Sequence, residues 1–285
     1  MTIVLAAQSR ERTLSVTTLA ELQGDFHTPN LQEEYFPGEF YDQFILGGAG
    51  DWFALDRLMV VRLLMAVIVA VFFVVAMRRP KLVPTGLQNV AELMLDFVRI
   101  HIAEEILGKK EGRRFLPVLA TIFFLVISMN VAAIIPGLNI SPNARVGMPL
   151  VLALFAYVAF IYAGSKKMGF FKYLKSSVVI PNLPPALHLI VVPIEIFSNF
   201  VLRPVTLTIR LMANMLAGHM VLVLLFGATN FFFWQLNAWT ALSGVTLLAS
   251  IAFTLFEMLV IFLQAYIFAL LSAVYIELSL HADEH

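Results

Sequence analysis

The stretch Arg203–His219, RPVTLTIRLMANMLAGH, sets charged and polar side chains in the middle of a long apolar run. Apolar and small residues flank Arg210 on both sides, so its side chain has no short route to a membrane interface. Its guanidinium stays charged up to a pH of about 12, and a charge in hydrocarbon costs several kcal/mol. The sequence therefore predicts a functional intramembrane arginine. The alternative is an arginine that pairs with a carboxylate elsewhere in the chain.

A helical wheel sorts the same stretch into two faces. At 3.6 residues per turn, Thr206, Asn214 and Ala217 fall within about 40° of Arg210. Small residues on such a strip let another helix approach the backbone closely. His219 falls on the opposite face, about 13 Å further along the axis. We therefore expect this helix to present Arg210 to one partner and His219 to another.

Composition places the chain among integral membrane proteins. Of its 285 residues, 60% are hydrophobic and 13% are charged, and the mean hydropathy is +0.86. The net charge is zero, which gives no indication of nucleic-acid binding. The chain has no cysteine, which excludes disulfides and cysteine-ligated metal. No metal or cofactor site is predicted.

The hydrophobic pattern predicts an all-α integral membrane protein with a polar external arm at residues 1–50 and one membrane domain at 51–285. An amphipathic helix at 86–107 is predicted to lie on the cytoplasmic surface. Basic residues alternate between loops, which predicts an external N-terminus and a cytoplasmic C-terminus. The predicted membrane spans are 58–77, 115–136, 147–165, 186–229 and 240–280.

The last two predicted spans are unusually long. As one helix, residues 240–280 would measure about 60 Å, twice the hydrocarbon thickness. The tract has no proline, and its one glycine, Gly244, is near its start, which favours a single, strongly tilted helix. Pro193 and Pro204 predict a kink in the preceding tract.

A polar stripe follows one face of the last helix. Serine and threonine can bond to their own helix, so the stripe is also compatible with a structural seam between helices. Glu257 at mid-membrane instead favours a proton relay, because relays are chains of acids and histidines beside water-filled cavities. The stripe consists of Ser243, Thr246, Ser250, Glu257, Gln264 and Tyr275.

Two motifs carry a resemblance to a known family. RPVTLTIRLMANMLAGH and the later EMLVIFLQAYIFALL, residues 257–271, resemble subunit a of the F-type ATP synthase. The resemblance implies a non-catalytic, proton-conducting stator subunit in a bacterial plasma membrane, which turns proton flow into rotation of a ring of c subunits. It also implies peripheral-stalk b-type subunits as partners and, indirectly, the soluble catalytic head; the lipid bilayer surrounds the chain.

The resemblance also assigns roles to single residues. Arg210 matches the essential arginine that faces the c-ring, with Asn214 beside it. His219 and Glu257 match positions that hold a histidine and an acid in either order, and Gln264 matches a polar residue of the last helix. Glu195 resembles an acid ahead of the arginine, but it lies one position further away than in the family pattern. The external turn MNVAAIIPGLN, residues 129–139, lacks the acids of some members.

Two rival interpretations remain open from the residues. A proton- or anion-coupled secondary transporter could use Arg210 to bind an anionic substrate, but it predicts internal repeats that the sequence does not show. A structural anchor would merely pair its charges internally.

The contact between His219 and Glu257 is also open. If the two helices are joined near 230–239, untilted helices place these residues about 16 Å and 27 Å from the turn.

Overall fold

The computed structural model describes residues 57–135, 141–178, 185–235 and 240–281. The predicted external arm at 1–50 lies outside these residues. The described residues are helical, with no strand among them, which confirms the all-α fold class. The helices are α1 Arg57–Ala76, α2 Leu87–Val98, α3 Glu105–Val131, α4 Gly147–Met168, α5 Phe170–Val178, α6 Pro185–Phe197, α7 Arg203–Trp234 and α8 Thr240–Leu280.

The described residues include five helices that are long and apolar enough to cross a membrane, as predicted. One of them is α8, a single helix of 41 residues over the predicted range. Another combines α6 and α7 through a π-helical turn, Ser198–Leu202, where the two prolines predicted a kink. The large apolar side chains of α1 are mostly exposed, which suits a helix that contacts lipid.

Several predicted boundaries differ from the structure. The second span was predicted to end at 136, but α3 ends at Val131. The fourth was predicted to end at 229, but α7 continues to Trp234 because Thr229 and Asn230 do not interrupt a helix. The short helix α5 was not predicted.

The predicted surface helix at 86–107 corresponds to α2, a π-helical turn at Arg99–Glu104, and the first residues of α3. Gly108 interrupts the backbone of α3 with φ 72°, a conformation that glycine adopts without steric cost. Beyond it, α3 returns so closely that a Cβ on Gly112 would lie 2.7 Å from the carbonyl oxygen of Ala103. The break separates the amphipathic segment from the apolar span. Its location on the membrane surface stays a prediction.

The chain divides into two compact units. One is Ala217–Met258, which holds the end of α7 and the first part of α8. The other holds the described residues of 57–216 together with 259–281. The core of this second unit is apolar and is built by several helices; among its fully buried members are Val98, Ile102, Leu119, Ile122, Val126, Leu211 and Phe268.

Candidate functional site

Arg210 lies on an exposed face of α7. Thr206 and Ala213 are exposed with it, and Asn214 is half-buried. Among the described residues no carboxylate forms an ion pair with Arg210, so the alternative of an internally paired arginine has no support there. The buried face of the same segment is mostly apolar, with Leu207, Leu211 and Met215, and it also includes the polar residue Thr208. The chain by itself thus leaves the arginine strip open.

The first unit brings His219 and Glu257 together. Both are buried, at 2% and 4% exposure. The carboxylate of Glu257 packs against the backbone of Gly218, so closely that a Cβ there would collide with it. Glu257 and His219 lie close enough for an electrostatic interaction between their side chains. A titratable pair therefore lies in the seam between α7 and α8, and only a glycine at 218 leaves room for it.

The depth comparison made from the sequence was misleading for this pair. It started the turn at Asn230, but α7 continues to Trp234 and α8 begins at Thr240. Measured from these ends, His219 lies about 23 Å and Glu257 about 26 Å along the helix axes. The two residues therefore lie at similar depths without any unusual geometry.

The stripe residues of the first unit form a hydroxyl-lined seam. Ser243 donates to the Thr240 carbonyl at 2.7 Å and Ser250 to the Thr246 carbonyl at 2.8 Å. Both hydroxyl groups thus bond within their own helix. This agrees with the alternative that the serine and threonine residues of the stripe form a structural seam between helices. Ser250 is fully buried and its Oγ lies 3.5 Å from Oγ1 of Thr229.

No sequence signal pointed to Thr229. Its hydroxyl also donates to its own helix, at the Leu225 carbonyl, which any threonine in an apolar run can do.

The remaining candidates lie in the second unit. Gln264 is buried at 6% exposure, and its Nε2 has no hydrogen-bond partner within the described part of the chain. A buried amide without a partner costs about 1–3 kcal/mol, so this group favours a water or a polar partner. Tyr275 instead lies under the guanidinium of Arg203, 4.9 Å from ring centroid to Cζ. No hydrogen bond, ion pair or ring contact joins Gln264 to Arg210 among the described residues.

Glu195 lies on α6, and its side chain is half-buried. The side-chain amide of Asn199 donates to its Oε2 at 3.0 Å. This contact within the helix orients the carboxylate without neutralising it.

Comparison with known proteins decides the family. The family model described as the ATP synthase A chain matches residues 59–277. The chain belongs to this family. It is 63% identical to the ATP synthase subunit a of Rhodococcus erythropolis over 284 residues, which cover 99% of this chain and all of the relative. It is 38% identical to the ATP synthase subunit a of Pseudarthrobacter chlorophenolicus, covering 93% of this chain and 97% of the relative.

Family membership and five apolar helices in the described residues make the chain a multi-pass membrane protein. The resemblance noted in the two motifs is confirmed, and it extends over nearly the whole chain. The family match also removes the ground for a self-contained secondary transporter.

Proposed function

We propose that this chain is the proton-conducting stator subunit of an F-type ATP synthase. It supplies two aqueous half-channels and one arginine to a rotating ring of c subunits. It acts in a bacterial plasma membrane with its N-terminus outside and its C-terminus in the cytoplasm, beside b-type stalk subunits. The chain makes no ATP itself; rotation transmits the energy to the soluble head.

The observation that carries the proposal is the open strip around Arg210. A carboxyl group on the ring must be neutral while it faces lipid, because an ion there is too costly. Beside a guanidinium the ionised form is favoured, so the carboxyl releases its proton. An exposed arginine flanked by Thr206 and Ala213 permits the close approach that this exchange needs.

Arg210 also separates the half-channels. A proton that passed directly from one to the other would have to move past a fixed positive charge. Protons are therefore routed through the ring. One elementary charge that crosses 100 mV is worth about 2.3 kcal/mol, which is the energy available per proton for rotation.

The buried pair of His219 and Glu257 supports an external half-channel. Both groups exchange protons, and they lie together in the first unit. Gln264, with a buried amide nitrogen that lacks a partner among the described residues, adds a site for a water along the same helix. Asn214 belongs to the Arg210 strip and would bind to the ring carboxyl. These assignments follow the family resemblance and agree with the burial of each side chain.

The test is Arg210→Ala in the complete ATP synthase. Inverted membrane vesicles are supplied with ATP, and their acidification is measured. The variant should lose pumping by a factor of about a hundred or more, as expected for the loss of a preorganised electrostatic group. After the soluble head is stripped, passive proton conductance should rise, because the barrier between the half-channels is gone. Near-normal pumping would refute the proposal.

Thr206→Ala is the matched control, since Thr206 is exposed on the same strip and its hydroxyl bonds to its own helix at the Arg203 carbonyl. Its pumping should stay within about twofold of the parent, because the substitution removes only a hydroxyl group that bonds within the helix and leaves the strip as open as before.

A further inference from the structure

Helices α6 and α7, with the π-helical turn between them, contain one residue more than a regular α-helix of the same length. At the π-helical turn Ser198–Leu202, the N–H of Arg203 donates to the carbonyl of Ser198, five residues earlier. Pro204 follows directly and has no N–H to donate. A π-turn inserts an extra residue into an α-helix, and such turns occur often at functional sites. The helix continues on both sides of the turn. The side chains of α6 are therefore rotated about the helix axis relative to those of α7.

The rotation changes where Glu195 points. In an uninterrupted helix, fifteen residues at about 100° each place Glu195 about 60° from Arg210, on the Ala213 side. With one residue absorbed by the π-turn, Glu195 moves by about 100° and lies about 40° from Arg210 on the Asn214 side.

The exposure of the side chains agrees with this rotation. Ala213 marks the exposed side of α7, whereas Asn214 is half-buried. Glu195 is half-buried as well, but its neighbours Ile194 and Ile196 are 59% and 45% exposed. The π-turn thus keeps the carboxylate away from the fully exposed face of the helix. Asn199, inside the turn, donates to that carboxylate and fixes its direction.

We propose that the π-turn Ser198–Leu202 is a phase-setting element that holds Glu195 on the Asn214 flank of the arginine strip. There Glu195 serves the half-channel at the Arg203 end of α7, about 20 Å along the axis from Arg210. Its carboxylate accepts the proton that a ring carboxyl releases into the channel water, and then returns that proton to water at the membrane surface. This inference rests on the proposed function and adds the residues that position the acid.

The phase of the helix can be changed one residue at a time. One alanine inserted between Asn199 and Phe200 turns Glu195 by about 100°, back to the Ala213 side. ATP-driven pumping should then fall to the level of Glu195→Gln. The double substitution Glu195→Ile and Ile196→Glu, made in the inserted chain, returns a carboxylate to the Asn214 side and should restore most of the lost rate. A purely structural role of the turn predicts no such rescue.

Deletion of Val201 is the complementary variant. It removes the extra residue, so fourteen α-helical residues keep Glu195 about 40° from Arg210 on the Asn214 side. Pumping should be retained, although a residue of the helix has been lost. Val201 is 42% exposed, so its removal takes away no buried side chain.

Chemical labelling can report the position of residue 195 independently of the pumping activity. The chain has no cysteine, so Glu195→Cys introduces one thiol, whose labelling by a water-soluble maleimide can be followed in membranes. Labelling rates should be similar in the parent and in the Val201 deletion, and should change at least about threefold with the inserted alanine, as expected if the thiol moves between environments.

Equal labelling in all three chains, or an inserted chain that the double substitution does not rescue, would overturn the inference. Arg210→Ala is run in parallel. If Arg210→Ala pumps normally, the proposed function is wrong. If Arg210→Ala does not pump, but the chain with the inserted alanine and the chain without Val201 pump and label alike, only the inference about the π-turn is wrong.

Discussion

The Arg210 strip and the Gly218–Glu257 seam are opposite solutions to a charge within a membrane. On the strip, the arginine and its neighbours Thr206 and Ala213 are exposed, and no described carboxylate pairs with the guanidinium. In the seam, Glu257 is enclosed by the chain's own helices and interacts with His219. The first arrangement is open at the surface of the chain, whereas the second is enclosed between two of its helices.

These two arrangements distinguish substitutions that would affect the contact with another subunit from those that would affect this chain alone. Under the proposed function, a substitution on the strip should act through the encounter with the ring of c subunits. A substitution in the seam should act through the geometry of two helices of this chain. Four predictions test that division, from the largest expected effect to the smallest.

Ala213→Phe adds a large ring to the open strip. Overpacking of a close helix contact costs about 1–3 kcal/mol, so ATP-driven pumping should fall about tenfold or more. Val205→Phe is the control, since Val205 is exposed on α7 and already carries a branched side chain. Both variants should still be found in membranes at parental levels. Equal pumping by the two would show that no partner approaches at Ala213.

Gly218→Ala places a methyl group where the Glu257 carboxylate packs. The carboxylate must move, so we expect pumping to fall about fivefold, equivalent to roughly 1 kcal/mol. Gly227→Ala on the same helix is the matched control, because nothing lies within 4 Å of a Cβ added there. If both alanines have the same effect, the contact at Gly218 does not matter for transport.

His219 and Glu257 should be energetically coupled. Neighbours in one network are non-additive by about 0.5 kcal/mol or more, a factor of about two in rate. The four chains to compare are His219→Ala, Glu257→Ala, the double alanine variant, and the exchange His219→Glu with Glu257→His. The exchange should recover activity that each of its halves loses. An additive double variant, with an exchange no better than its halves, would mean that Glu257 works without His219.

Sodium removal should have no effect. His219 and Glu257 are titratable side chains, and among the described residues no group of three or more acids, histidines or cysteines could hold a metal ion. Pumping by vesicles in sodium-depleted buffer should equal that in sodium buffer at the same ionic strength. A strict requirement for sodium near neutral pH would contradict the assignment of protons as the transported ion.

The all-α class, the five apolar helices and the single long helix α8 could be predicted from the amino-acid sequence. These features depend on the length and periodicity of apolar runs, which local residues carry. The wheel also separated Arg210 from His219, because their spacing of nine residues sets opposite faces in any regular helix. Both the exposure of Arg210 and the burial of His219 agree with that separation.

The contacts between helices could not be predicted from the sequence. Glycine at 218 carries no pattern of its own, and the carboxylate that fills the space above it comes from a residue 39 positions later. A regular helical wheel could not predict the end of α7 at Trp234 or the π-turn before Arg203, because it assumes a constant pitch and known helix ends. A shift of one residue rotates a side chain by about 100°, so the placement of Glu195 and the meeting of Glu257 with His219 depended on backbone details that apolar periodicity does not encode.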